Sequence, residues 1–125
     1  AVDDAYRSLK SGRIESNTTT NTIADGLKTQ LGDQNFPIIQ EHVEKIIRVT
    51  EDEIIAAMRM IWERLKIISE ASCAVALAAV LKEKDTFKNK KIGIIISGGN
   101  VDLNNLPFAK VQKKSFWKWP FLSIK

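Results

Sequence analysis

The spacing of apolar residues changes several times along the 125 residues, and each change predicts an element. Asp3 to Lys10 reads as a short helix, with acidic residues at its start and Ser11-Gly12 to end it. The polar run Glu15-Ser16-Asn17-Thr18-Thr19-Thr20-Asn21-Thr22 follows as a loop, because such side chains bond to nearby backbone and compete with helix. Ile23-Ala24-Asp25-Gly26-Leu27 returns to apolar residues around a glycine, where backbone can be approached closely. A helix is predicted from Asn35 through Glu41 with Pro37 in its first turn, and Val43 to Val49, which alternates imperfectly, reads as a strand.

Thr50-Glu51-Asp52-Glu53 has the form of a capping box, in which the threonine hydroxyl and the Glu53 carboxylate each satisfy an orphan backbone donor. Beyond it, Ile54, Met58, Ile61, Trp62 and Leu65 recur at helical spacing, giving one buried stripe to a helix of about four turns. Cys73 to Leu81 is apolar on every side and rich in small residues, as expected of a helix buried closely against its neighbours. Lys82 to Lys91 is charged and ends it. Four isoleucines within Ile92-Gly93-Ile94-Ile95-Ile96 then predict a central strand buried on both faces, as in a parallel sheet. The predicted order of helices and strands defines an α/β fold class, with too few strands to close a sheet covered on both faces.

Chemistry concentrates after that last strand. Ser97-Gly98-Gly99-Asn100-Val101-Asp102 is a polar turn whose paired glycines let a ligand meet backbone at the strand's carboxyl end, where open α/β sheets bind ligands. Net charge is +4, yet residues 109 to 125 hold five of the 19 basic residues and none of the 15 acidic ones. The remainder carries 14 against 15, a net of −1, so the core lacks the electrostatic footprint of a nucleic-acid binder. No run reaches the roughly 18 apolar residues of a membrane span. The single cysteine, Cys73, cannot form an internal disulfide, and a reducing, cytoplasmic setting is expected. The first residues show neither an initiator methionine nor a secretory core, and the chain reads as beginning within a longer protein.

In order, Asp3-Asp4-Ala5-Tyr6, Thr22-Ile23-Ala24-Asp25-Gly26, Val49-Thr50-Glu51-Asp52-Glu53, Ser69-Glu70-Ala71-Ser72 and Ser97-Gly98-Gly99-Asn100-Val101-Asp102 form a constellation over residues 1 to 108. It resembles the C-terminal part of the pyridoxal-phosphate-dependent serine racemase and serine/threonine ammonia-lyase family. The resemblance implies a partial tryptophan-synthase β-like (fold type II) domain, a mostly parallel sheet with flanking helices, incomplete at its N-terminus. It also implies pyridoxal 5'-phosphate as cofactor, serine or threonine as substrate, a homodimer in the full-length enzyme and an allosteric nucleotide.

By the same resemblance, Ser97 hydrogen-bonds the pyridine nitrogen of the cofactor, Gly26 and Gly98 border the ring, and Glu70 presents its carboxylate nearby. A hydroxyl can donate to an unprotonated ring nitrogen, whereas an aspartate would keep it protonated. A neutral pyridine is the weaker electron sink, which favours expulsion of a β-hydroxyl, with reprotonation and racemisation in competition. Asp4 and the Val2 carbonyl correspond to ligands of a divalent cation, Mg2+ or Ca2+, which take oxygen donors. Lys66 and Asn100 correspond to nucleotide contacts. Family members usually write the Glu70 motif with proline where this chain has Ala71, and that change frees a backbone torsion.

The family's cofactor-bearing lysine lies in an S-F-K motif and its phosphate cup in a run of glycines, and neither occurs here. Ser8-Leu9-Lys10-Ser11-Gly12 imitates the lysine motif at a predicted helix end. His42 falls on a predicted exposed face, a single histidine makes no triad, and Cys73, among alanines, reads as a small core residue. The last 17 residues depart from the family and are expected to form a disordered basic, aromatic tail. The expected function is that of a fragment of an enzyme that deaminates or racemises serine or threonine. Its rival is a catalytically inactive relative that binds a full-length partner.

Overall fold

The computed structural model describes residues 2–109. Helix α1 (Asp4–Ser11) is followed by a single 3-10 turn (Asp25–Leu27), then α2 (Asn35–His42) and α3 (Glu51–Met60). A π-helical segment (Ile61–Leu65) continues α3, and α4 (Ala71–Lys82) completes the set.

Both arms of the predicted capping box open α3. Glu53 N donates to Thr50 Oγ1 at 3.3 Å, and Thr50 N donates to Glu53 Oε2 at 2.7 Å. Glu51, Asp52 and Glu53 in the first turn also oppose the positive end of the helix dipole. From α3, Ile54, Ala57 and Met58 turn inward, and α4 packs on them with Ala71, Ala74 and Ala78. These alanines end at Cβ, so the helices approach closely while Ile54, Met58 and Ile61 fill the space around them. Met58, 1% exposed, contributes about 1.5–3 kcal/mol by burial. Ala24, fully buried, brings the Thr22–Gly26 loop onto this core, and Ile23 N fastens it by donating to Glu51 Oε2 at 2.8 Å.

Three sequence expectations are corrected. The helical stripe does not run on to Leu65, because the π-helical segment widens the turn and rotates that residue outward to 57% exposure. Helix α4 is not buried all round: Ala71, Cys73, Ala74 and Ala78 are enclosed, while Ala76 and Leu81 face solvent. No strand occurs among the described residues, so neither Val43–Val49 nor Ile92–Ile96 forms the parallel sheet. A strand exists only through the ladder it makes with a neighbour, and no described segment pairs with either run. Ile92 and Ile95 are accordingly 44% and 83% exposed instead of central, and only Ile96 packs against the core.

The run nonetheless delivers its carboxyl end to the helix pair. Val101, Leu106 and Phe108 lie against the core, and Phe108 meets Trp62 edge-on with ring centroids 5.5 Å apart. The expected tail, apart from Ala109, lies outside the described residues.

Candidate active site

Three loops converge on the first turn of α4. Glu70 occupies the N-cap position in extended backbone (φ −84°, ψ 167°), but its side chain does not cap the helix. It reaches instead to the Ser97–Asn100 turn, where Asn100 N donates to Glu70 Oε2 at 2.9 Å. Glu70 N donates to Gly98 O at 3.2 Å, so the turn is tied to Glu70 through both backbone and carboxylate. Contact requires glycine at 99, and at 98 it leaves room for the end of the Glu70 side chain. A Cβ on Gly98 would stand 3.0 Å from Glu70 Cδ, and one on Gly99 would stand 2.6 Å from the Ile68 carbonyl oxygen.

Ser97 is exposed, with its Oγ 3.5 Å from the Sγ of buried Cys73, while Gly98 N donates to that sulfur at 3.0 Å. On the other side of the same helical turn, Gly26 N donates to Ser72 Oγ and to Asp25 Oδ1, each at 2.9 Å. The two loops named by the sequence, around Gly26 and around Ser97, therefore meet consecutive residues, Ser72 and Cys73. Sequence reasoning missed this role for both. The hydrogen-bonding residue types gave a faint signal, but only the fold supplies their partners.

Asp4 is buried at the start of α1. Its neighbour Asp3 is committed elsewhere: Arg7 Nε donates to Asp3 Oδ1 at 2.8 Å and Arg48 Nη1 to Oδ2 at 3.1 Å. The Arg7 hydrogen bond, supported by Arg48, holds the Asp3 carboxyl below the usual carboxylate range. Asp4 carries no side-chain hydrogen bond among the described residues, whereas both oxygens of Asp3 are paired with arginines. Asn17 Oδ1 accepts from Asp3 N at 3.2 Å and Asp4 N at 3.0 Å, anchoring the helix start from a loop the sequence presents only as polar. Val2, Asp4, Thr22, Gly26 and Arg48 share the wall of a cavity of about 830 Å³.

The proposed nucleotide contacts are not joined by any hydrogen bond among the described residues. Lys66 ends the π-helical segment in the left-handed region (φ 59°), and its Nζ donates back to Glu63 O at 2.7 Å. Asn100 belongs to the Glu70 cluster. Lys10 is exposed in the last turn of α1, and exposed His42 ends α2 with its Nε2 3.9 Å from Glu41.

This arrangement, a glycine-lined turn and a serine hydroxyl braced on a helix start, is found in a chain whose residues 1–98 match the family model of the pyridoxal-phosphate dependent enzymes. The chain belongs to that family. Serine racemase of Dictyostelium discoideum is 57% identical over 109 residues, covering 84% of this chain and 34% of the racemase. Its crystal structure aligns with a TM-score of 0.74 at 58% identity, over 82% of this chain and 33% of that one. The β-hydroxyaspartate dehydratase of Paracoccus denitrificans (strain Pd 1222) is 44% identical, over 86% of this chain and 34% of the dehydratase. The crystal structure of a T.th. threonine deaminase gives a TM-score of 0.77 at 39% identity, over 82% of this chain and 38% of that one. The chain thus spans about a third of the length of these relatives, and its fold is part of a fold type II domain.

The donor chemistry around Ser97 fits a pyridine ring. The hydroxyl is exposed and has a thiol, a weak hydrogen-bonding partner, as its protein neighbour. The cation donors fit only in part. Asp4 and the Val2 carbonyl offer two of the roughly six to eight oxygens that calcium takes, and no cluster of three acidic, histidine or cysteine side chains able to hold a metal occurs among the described residues. No helix among them is long and apolar enough to cross a membrane.

Proposed function

We propose that this chain forms the C-terminal part of the catalytic domain, residues 1–108, of a pyridoxal-phosphate enzyme that β-eliminates or racemises serine or threonine. The observation that carries the reading is the convergence of Ser97, Gly98 and Gly26 on one turn of α4 in a chain of this family. When bound, pyridoxal phosphate supplies the electron sink that lets an amino acid lose its α-proton.

The chain's own residues hold and tune. Ser97 Oγ donates to the ring nitrogen and leaves it unprotonated, Gly26 and Gly98 border the ring, and Glu70 fixes the turn that carries Ser97 by accepting from Asn100 N. Elimination then removes the α-proton and the β-hydroxyl, and hydrolysis of the product yields a 2-oxo acid and ammonia. Return of the proton to the opposite face gives the enantiomer. Asp4 and the Val2 carbonyl contribute oxygens to a structural divalent-cation site completed from elsewhere in the protein. Lys66 and Asn100 serve an allosteric nucleotide, and the enzyme works as a homodimer in the cytoplasm.

The test is turnover by the complete polypeptide that contains this chain, loaded with pyridoxal phosphate. Formation of 2-oxo acid from L-serine or L-threonine, or of D-serine by chiral chromatography, is the expected result. A folded protein that takes up no cofactor and turns over neither amino acid would overturn the reading in favour of an interaction module.

A further inference from the structure

We propose that Ser72 and Cys73 are positioning residues that hold the two walls of the cofactor slot in register, Ser72 the Gly26 wall and Cys73 the Ser97 wall. The inference rests on the assignment of Ser97 to the ring nitrogen. Consecutive helical residues leave the axis about 100° apart, so two neighbours can reach two loops that are distant in sequence. Ser72 does so by accepting from Gly26 N at 2.9 Å and donating to Asp25 Oδ1 at 3.3 Å, which closes a ring of bonds with the Asp25 carboxylate and the same amide. A Cβ at position 26 would lie 3.0 Å from Ser72 Oγ, so the contact leaves no slack.

Cys73 is 4% exposed and touches both residues that define the other wall. Its sulfur accepts from Gly98 N at 3.0 Å and lies 3.5 Å from Ser97 Oγ. Either atom of the Cys73–Ser97 pair can donate, and the role assigned to Cys73 is that of donor: its S–H gives to Ser97 Oγ while its sulfur accepts from Gly98 N, which leaves the serine's own hydrogen for a ring nitrogen. Cys73 thereby selects the hydroxyl rotamer that donates to a ring nitrogen. An alanine here would fill the core without selecting any rotamer.

The test uses the holoenzyme containing this chain, with cofactor affinity and the pH dependence of bound-cofactor absorbance as readouts. Cys73→Ala should weaken cofactor binding about fivefold, the size of one neutral hydrogen bond, and shift the pH profile, while Cys73→Ser should restore the profile. Ser72→Ala should weaken cofactor binding by a similar factor without moving the profile, because Gly26 borders the ring and does not touch its nitrogen. Slowed hydrogen exchange at the Gly98 amide of the wild-type holoenzyme is expected independently of any variant. Wild-type affinity and profile in Cys73→Ala, or free exchange at Gly98, would overturn this inference alone. A wild-type protein without bound-cofactor absorbance would overturn the reading beneath it.

Discussion

Gly98 and Gly99 are adjacent, yet a methyl group added to each meets a different kind of obstacle. At 99 the obstacle is the Ile68 carbonyl oxygen, 2.6 Å from the new Cβ, and backbone must move to make room. Gly99→Ala is therefore expected to cost about 1–3 kcal/mol, seen as a lower urea midpoint with unchanged slope. At 98 the obstacle is the end of the Glu70 side chain, which can swing aside. Gly98→Ala should cost less stability than Gly99→Ala, but it displaces the acceptor of Asn100 N and should weaken cofactor binding in the complete enzyme. The chemistry of these residues was legible in the sequence as a serine followed by paired glycines. The reason each glycine is needed was not, because Ile68 and Glu70 become their neighbours only on folding. Cys73 illustrates the same limit: burial among alanines was foreseeable, its bond to Gly98 was not.

Elements whose signals are local were readable, and elements that need a distant partner were not. The capping box at Thr50 is such a local signal, and removing it by Thr50→Ala should cost about 1 kcal/mol in thermal or chemical denaturation. Glu53 adds a pH dependence. Its carboxyl is held below the ordinary glutamate value of 4.5, first by the Thr50 amide and then by Lys82. The charged form is thus favoured on folding, so this contribution is present above the ordinary value and is lost as pH falls through the depressed one. Glu53→Gln should flatten that acid limb of the stability profile, and an unchanged limb would remove Glu53 from it. Ala71 occupies the first position of α4, where proline's fixed torsion suits the helix. Ala71→Pro is expected to raise stability by about 0.4–1 kcal/mol by restricting the unfolded chain. In contrast, the periodicity of Ile54 to Leu65 gave no warning of the π-helical segment, and the isoleucines of 92–96 expressed an aptitude for pairing that no described segment satisfies.

For the whole molecule, the excess positive charge lies in residues 109–125, outside the proposed site. Deleting residues 109–125 takes the net charge from +4 to −1 and should abolish salt-sensitive binding to polyanions while leaving helical circular dichroism intact. Retained binding would locate the basic surface among the remaining residues. The isolated 125-residue chain should form no 2-oxo acid from serine or threonine with added pyridoxal phosphate, and Lys10→Ala should change nothing, since Lys10 lies exposed in the last turn of α1. The most direct test of the proposed site is pyridoxal phosphate binding, followed by absorbance, to the complete enzyme with and without Ser97→Ala. Weaker binding and a shifted absorbance in the variant are predicted, because the ring nitrogen loses its donor. Identical affinity and spectrum would contradict the assignment and put the cofactor ring elsewhere.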